Sequence, residues 1–278
     1  MLEVLPKMLL TLVVDMTNES LHHSYKSIRM FIYIHRLLIL FLEKYPELKT
    51  TINEKIERFI EKPELRIKDE TPNIGDLLVF LTVSEKYNWD DLKDSYLNEQ
   101  LDRQVLWVLK EIPDLDKVED PELEESKIEA SFRSTIVGYR ITMLMKIFNT
   151  EIFEKGGKDF TKLAALVDSR YCRLLGEDED NFKQLVDGIF EVRNFLKYYL
   201  EVGKEVPDKK SLSVALKNAV KNSLEKKYHG NETDLNAIPK LNEQVASLQH
   251  SRPTLLKYWD EKRQKLDKED DEDFWKML

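Results

Sequence analysis

Apolar residues recur every three or four positions through most of the chain, the spacing of one face of an α-helix. The pattern is clearest over residues 72–113, which a proline bounds at each end. Asn73 and Asn88 stand where helix N-caps are expected, and one apolar stripe then runs from Leu92 to Ile112. This segment therefore predicts two helices, the second of them continuous to Ile112, at the structural centre of the chain.

The same spacing predicts helices in the rest of the sequence. They cover residues 2–17, 18–45, 47–61, 122–149, 158–175, 181–202 and 211–228, with weaker patterns at 235–249 and 254–268. No segment shows the alternation of a β-strand. We predict an all-α fold, an irregular multi-helix bundle or helical-hairpin array of about ten helices.

Two residue types indicate where helices pack closely. Gly138 lies in the middle of the predicted helix 122–149, and an interior glycine costs about 1 kcal/mol relative to alanine. We therefore expect a neighbouring helix to pass close to Gly138. Trp89 and Trp107 occupy helical positions, and we expect them to pack in the core rather than to stack on a ligand.

Gly156 and Gly157 mark the predicted division of the chain. We expect an N-terminal helical subdomain at residues 1–155, a C-terminal helical subdomain at 156–265 and an acidic-aromatic tail at 266–278. The most apolar stretch, residues 30–42, is interrupted by His35 and Arg36. It is too short to cross a bilayer, so we interpret it as a core helix.

Composition narrows the class of protein. The 278 residues carry a net charge of −9, and 42% of them are hydrophobic. An acidic balance disfavours nucleic-acid binding, because such proteins are usually basic. Cys172 is the single cysteine, which fits a reducing compartment and predicts a cytoplasmic or nuclear location. The N-terminal residues lack the features of a signal peptide.

Candidate catalytic and metal-binding residues are few. Cys172 stands beside Arg173, whose charge would lower the pKa of the thiol, but a nucleophile also needs a histidine supplied by the fold. Glu19 and His23 are four residues apart, yet no further metal ligands can be assigned. No glycine-rich phosphate loop occurs. We expect no metal and no cofactor, and a helical enzyme using Cys172 or a carboxylate–histidine pair stays as an alternative.

Two charged features are distinctive. The first is a basic helix over residues 209–227 with candidate anion-binding lysines, namely Lys209, Lys210, Lys217, Lys221, Lys226 and Lys227. It could meet a phosphate, an acidic protein surface or an anionic membrane, or be a solvated helix face. The second is the tail, where acids at 267–273 precede the candidate partner-binding residues Phe274, Trp275, Met277 and Leu278. This tail is predicted to fold back on the basic helix or to engage a partner.

The segment 72–115 resembles a helical module of large eukaryotic multidomain proteins, several of them associated with the ubiquitin pathway. The matching residues are Pro72 to Gly75, Trp89 and the run from Asp102 to Trp107. The resemblance carries no catalytic motif. It implies an interaction module that belongs to a longer protein.

These observations predict a non-catalytic helical module or scaffold that binds another protein or a segment of its own chain. The alternatives are the helical enzyme and an anion- or nucleic-acid-binding protein that uses the basic helix. The sequence predicts no transmembrane segment, and it leaves the oligomeric state open.

Overall fold

A computed structural model describes residues 1–17, 25–115, 117–119, 121–153 and 187–229. Every regular element within these ranges is helical, which confirms the all-α prediction. The α-helices are α1 (Leu5–Thr17), α2 (Tyr25–Lys44), α3 (Glu47–Glu61), α4 (Gly75–Leu81), α5 (Trp89–Arg103), α6 (Val105–Glu111), α7 (Glu125–Ser134), α8 (Ile136–Ile147), α9 (Phe195–Glu201) and α10 (Lys209–Glu225). A 3₁₀ turn at Pro63–Leu65 follows α3, and a π-helix at Phe148–Phe153 continues α8.

The core is built around α4, α5 and α8. Helix α4 buries Gly75 and every residue from Leu77 to Leu81, and it packs against α1, α3 and α8. Helix α5 packs against α3 on one side and α10 on another. Trp89, at the start of α5, is 3% exposed and donates from its indole Nε1 to the carbonyl of Val202 at 2.7 Å. The prediction that Trp89 packs in the core is confirmed.

Asn88 begins α5 as predicted. Its side-chain oxygen accepts from the backbone N–H of Asp91 at 3.2 Å, and the Asp91 carboxylate accepts from the N–H of Asn88 at 2.9 Å. This reciprocal capping box satisfies two backbone donors at the helix start. Asn73 acts differently, because its side-chain oxygen accepts from Gly75 and its amide donates to Asp76.

The predicted continuous helix from Asn88 to Ile112 is wrong, because the helix breaks at Gln104. This residue has φ −93° and ψ 1°, and α6 begins directly after it. Arg103, the last residue of α5, donates to the carbonyls of Thr71 at 2.7 Å and Pro72 at 3.1 Å. The break therefore coincides with contacts between distant segments, and no glycine or proline marks it in the sequence.

The predicted helix over residues 122–149 is also two helices. Thr135, with φ −112° and ψ 6°, separates α7 from α8. Its hydroxyl donates back to the carbonyls of Ser131 and Phe132 at 3.1 and 3.2 Å, a type of bond that bends helices. A third predicted helix, 181–202, is interrupted at Asn194, which caps α9 by accepting from the N–H of Lys197 at 3.0 Å.

Gly138 lies where a neighbouring helix passes closely, as predicted. The side-chain amide of Gln100 on α5 donates to the carbonyl of Gly138 at 3.1 Å. A Cβ atom at Gly138 would lie 2.3 Å from Nε2 of Gln104. The glycine thus leaves room for the two glutamine side chains between α5 and α8.

Residues Met1–Tyr228 form one compact unit, and the second unit begins at His229. Helix α9 packs on α8, and helix α10 packs on α5 and α6. The predicted boundary at Gly156 and Gly157 lies outside the described residues, and so do the predicted helices 158–175, 235–249 and 254–268. The division into subdomains stays a prediction.

Candidate interaction surface

Helix α2 is apolar on two sides. Its inward side buries Phe31, Ile34, Leu38, Ile39 and Leu42, each at most 9% exposed. This side packs against α1 and α3, and the ring of Phe31 stacks on Phe148 at 4.4 Å. This side of α2 confirms that the helix over residues 30–42 contributes to the core.

His35 belongs to this inward side. It is fully buried, and its Nε2 lies 2.8 Å from the hydroxyl of Thr82. Because that hydroxyl donates to the carbonyl of Val79 at 2.6 Å, the Nε2 atom of His35 donates to it. Burial lowers the pKa of His35 from 6.5 to about 3, so the imidazole is neutral at pH 7.

The other side of α2 carries four large apolar residues that remain exposed. These residues, the outer stripe, are Met30, Tyr33, Leu37 and Leu40, with exposed fractions of 51, 51, 39 and 47%. They are spaced three, four and three residues apart, so they form one row along the helix. A helix that is apolar all round is normally buried on every side, and the outer stripe departs from that rule.

Charged residues border the outer stripe. Arg36 is exposed and lies beside Tyr33 and Leu40 on the helix surface, and Glu43 follows it on the same flank. Lys44 continues the spacing of the stripe and is exposed at the end of α2. Apolar residues rimmed by polar ones are the usual composition of a binding patch.

The sequence interpretation missed the outer stripe. The almost continuous apolar character of residues 30–42 predicts a core helix, whereas the structure buries only one side of it. The available signal was the width of the apolar surface. One buried face needs an apolar row at i, i+3, i+4 and i+7, whereas α2 has a second row that such a face does not require.

The six candidate anion-binding lysines do not converge on one site. Lys209 and Lys210 occupy the first turn of α10, behind the N-cap Asp208. Lys221 is 77% exposed in its side chain and lies 3.9 Å from Glu225. The Nζ atom of Lys217 donates to the carbonyls of Val118 and Glu119. Anion binding by this helix stays a prediction.

Lys226, the C-cap residue of α10, is engaged inside the protein, whereas Lys227 after it is exposed. The Nζ atom of Lys226 lies 2.7 Å from Oδ2 of Asp102 and 2.5 Å from Oε2 of Glu99. The Glu99 side chain is fully buried and also accepts from Nε of Arg103 at 2.6 Å. The hydroxyl of Tyr228 lies 2.5 Å from the same carboxylate. We call these residues, Glu99, Asp102, Arg103, Lys226 and Tyr228, the Lys226 cluster.

Burial is the largest single cause acting on the pKa values of Lys226, Asp102 and Tyr228 in the Lys226 cluster. It lowers the pKa of Lys226, but the bonds to Asp102 and Glu99 outweigh it, so this pKa lies above its ordinary value. Burial raises the pKa of Asp102, and the bond from Lys226 opposes part of that rise. Burial and the bond to Glu99 also raise the pKa of Tyr228. The cluster fastens the end of α10 to α5 and holds its charges away from solvent.

A groove of about 270 Å³ lies between α7, α9 and α10. Its apolar walls include Ile128, Phe195, Tyr199 and Leu212, and Lys209 stands at its edge. Among the described residues that line it there is no histidine or cysteine. The groove therefore holds no cysteine–histidine pair.

Other predicted groups fall outside the described residues. They are Glu19 and His23, Cys172, and the tail residues Phe274, Trp275, Met277 and Leu278. Across the described part of the chain, no three histidine, cysteine or acidic side chains lie close enough to hold a metal ion. None of the described helices has the length and hydrophobicity needed to cross a membrane.

Comparison with protein-family models, with curated proteins and with solved structures found no match to the chain. The resemblance of residues 72–115 to helical modules of multidomain proteins therefore stays a prediction.

Proposed function

We propose that this chain is a protein-binding helical module whose binding surface is the outer stripe of α2. The observation that carries the proposal is the exposure of four large apolar side chains in one row, on a helix whose other side is already buried. Exposed apolar surface of this kind favours a partner, because covering it removes apolar area from water.

Three further features support the binding class. The described residues that line the groove include no cysteine–histidine pair, and Lys217 and Lys226 bond to groups of the protein itself. The resemblance of residues 72–115 favours an interaction module as well. A cytoplasmic or nuclear location, suggested by the single cysteine, is part of the same proposal.

The test is an affinity capture from cell extract with matched surface variants. Leu37→Glu puts a charge into the outer stripe, and Leu200→Glu puts the same charge on α9 at a residue that is 63% exposed. We expect Leu37→Glu to reduce the recovery of a specific partner on the order of tenfold, as loss of a central apolar contact does. Leu200→Glu should leave the recovery unchanged.

Both leucines are surface residues, so circular dichroism and thermal unfolding should show that both variants fold. The proposal fails when a specific partner is recovered equally by wild type and Leu37→Glu. It also fails when Leu200→Glu abolishes the recovery as strongly as Leu37→Glu does.

A further inference from the structure

A cleft of about 130 Å³ lies between α3 and α4, on elements that do not carry the outer stripe. Its floor is apolar, since Phe59, Leu77 and Phe80 line it and each of them is at most 3% exposed. Its rim carries charges of both signs, with Asp76 on α4 and Lys55 on α3. We propose that this cleft binds a small zwitterion, a molecule that places an ammonium group at Asp76 and a carboxylate at Lys55.

The carboxylate of Asp76 is held in place and keeps one oxygen for a ligand. Its Oδ1 atom accepts from the side-chain amide of Asn73 at 2.9 Å, which fixes the orientation of the carboxylate. In the part of the chain that the structure describes, Oδ2 of Asp76 accepts no hydrogen bond. Burial raises the pKa of Asp76, and the charges of Lys7 and Lys55 oppose part of that rise. A half-buried carboxylate in a cleft, short of donors, is a natural partner for an ammonium group.

Lys55 supplies a positive charge on the facing wall. It shares one face of α3 with Phe59, four residues further along, and both side chains line the cleft. Lys55 forms no ion pair with any residue that the structure describes. The other cation of the cleft, Arg58, has its Nη2 atom 3.1 Å from Oε2 of Glu70, so its charge is already balanced. Lys55 is therefore the group of this wall that is left to bind an anion.

Size and charge together specify the ligand. A cavity of about 150 Å³ holds one benzene molecule, so the cleft has room for about six non-hydrogen atoms. A simple anion would face the charge of Asp76, and a simple cation would face that of Lys55, whereas a zwitterion pairs with both groups. The methylene groups between the two ends of such a molecule would lie on the apolar floor. A small amino acid such as β-alanine has this size and this composition.

The test is isothermal titration calorimetry of the full chain with β-alanine at neutral pH. Propionate, which lacks the ammonium group, and ethylammonium, which lacks the carboxylate, are the matched ligands. We expect saturable binding of β-alanine, at least about tenfold tighter than the binding of either single-charge compound. Absence of saturable binding, or an affinity for propionate or ethylammonium equal to that for β-alanine, would overturn the proposal.

Matched variants locate the binding. Asp76→Asn and Lys55→Met should each weaken the binding of β-alanine about tenfold or more, because each leaves one charged end of the ligand without its partner. Asp69→Asn and Lys62→Met make the same changes at exposed residues outside the cleft, and they should leave the affinity unchanged. Lys55 is exposed, so Lys55→Met decides the test even where thermal unfolding shows that Asp76→Asn does not fold. Wild-type affinity in Lys55→Met would overturn the proposal.

The cleft and the outer stripe can be tested separately, because they lie on different elements. Leu37→Glu changes the outer stripe and should leave the affinity for β-alanine unchanged. Lys55→Met changes the cleft and should leave the recovery of a specific partner unchanged. An affinity for β-alanine that falls as far in Leu37→Glu as in Lys55→Met would overturn the assignment of the ligand to this cleft.

Discussion

The Nζ atom of Lys226 lies 2.7 Å from Oδ2 of Asp102, 124 residues earlier in the chain. The two side chains are 21 and 5% exposed, so this ion pair is largely removed from water. It joins the end of α10 to α5 at the point where Tyr228 closes the first compact unit. The lysine that the sequence assigned to an anion-binding surface therefore has its anions inside the protein.

Replacing Lys226 by methionine should destabilise the protein strongly. The change leaves the buried carboxylate of Asp102 without its cation and removes one of the cations beside Glu99. Removing one partner of a fully buried ion pair lowers the free energy of unfolding by about 3–5 kcal/mol. Because Lys226 is partly exposed, we expect Lys226→Met to lower it by about 2–4 kcal/mol. Urea denaturation gives the free energy of unfolding.

Lys221→Met is the matched control on the same helix. The Lys221 side chain is 77% exposed, and its Nζ lies 3.9 Å from Glu225. An exposed pair of this kind contributes at most about 0.5 kcal/mol to the free energy of unfolding, so Lys221→Met should cost no more than that. Comparable losses for the two variants would contradict the assignment of Lys226 as a structural residue.

The low pKa of buried His35 predicts that the protein loses stability on mild acidification. This pKa is about 3 in the folded protein and 6.5 when unperturbed, so the unfolded chain binds a proton that the folded chain excludes. The contribution of neutral His35 is fully present above pH 6.5 and is lost as the pH falls toward 3. At pH 5, about 1.5 units below the unperturbed pKa, the free energy of unfolding should be lower by about 2 kcal/mol than at neutral pH.

The comparison with His35→Leu isolates this contribution. Carboxylates titrate in both proteins over the acidic part of the range, so their effect cancels in the difference between the two stability curves. The wild type should lose stability between pH 6.5 and 5 relative to the variant. Parallel curves over that interval would mean that His35 becomes charged inside the folded protein at its ordinary pKa.

How far the sequence predicts the fold depends on whether a feature is local. The bounds of α3, at Glu47–Glu61, are those expected from the apolar spacing and the flanking prolines. Asn88 likewise caps α5 through residues of its own first turn. By contrast, the break at Gln104 occurs among good helix formers and accompanies bonds from Arg103 to Thr71 and Pro72. Spacing alone carries no information about such long-range contacts.

The candidate surface follows the same distinction. Apolar spacing located the helix that carries Met30, Tyr33, Leu37 and Leu40, but it did not show which side the neighbouring helices would cover. That depends on how α1 and α3 pack against α2. Lys226 on α10 illustrates the same limit, since a local count of positive charge does not show that this lysine meets acids from α5.

Lys227→Gly should stabilise the protein. Lys227 has φ 58° and follows the C-cap of α10. The N–H of Tyr228 donates to Ser223 and that of Lys227 to Leu224, the two bonds of a Schellman motif. Glycine occupies this left-handed conformation without the strain that a side chain causes, so we expect a gain of about 0.5–1 kcal/mol.

Gly203 provides the reciprocal test. It follows α9 and has φ 71°. The N–H of Lys204 donates to the carbonyl of Tyr199, and the N–H of Gly203 donates to the carbonyl of Leu200. The two helix ends have the same motif and differ in the residue at its left-handed position. Gly203→Lys should lower the free energy of unfolding by about 1 kcal/mol. Thermal unfolding that moves both variants in the same direction would contradict this explanation.

Gly138→Ala should affect stability according to the residue at position 104. Alanine favours the helix over glycine by about 1 kcal/mol, but its Cβ would lie 2.3 Å from Nε2 of Gln104. In a Gln104→Ala background the obstruction is absent, and Gly138→Ala should gain the full amount. In the wild-type background the gain should be smaller or reversed, because the Gln104 side chain must move. A double-mutant cycle from urea denaturation measures this coupling, expected at about 0.5 kcal/mol or more. Equal effects of Gly138→Ala in the two backgrounds would show that the glycine does not serve the close approach of α5 and α8.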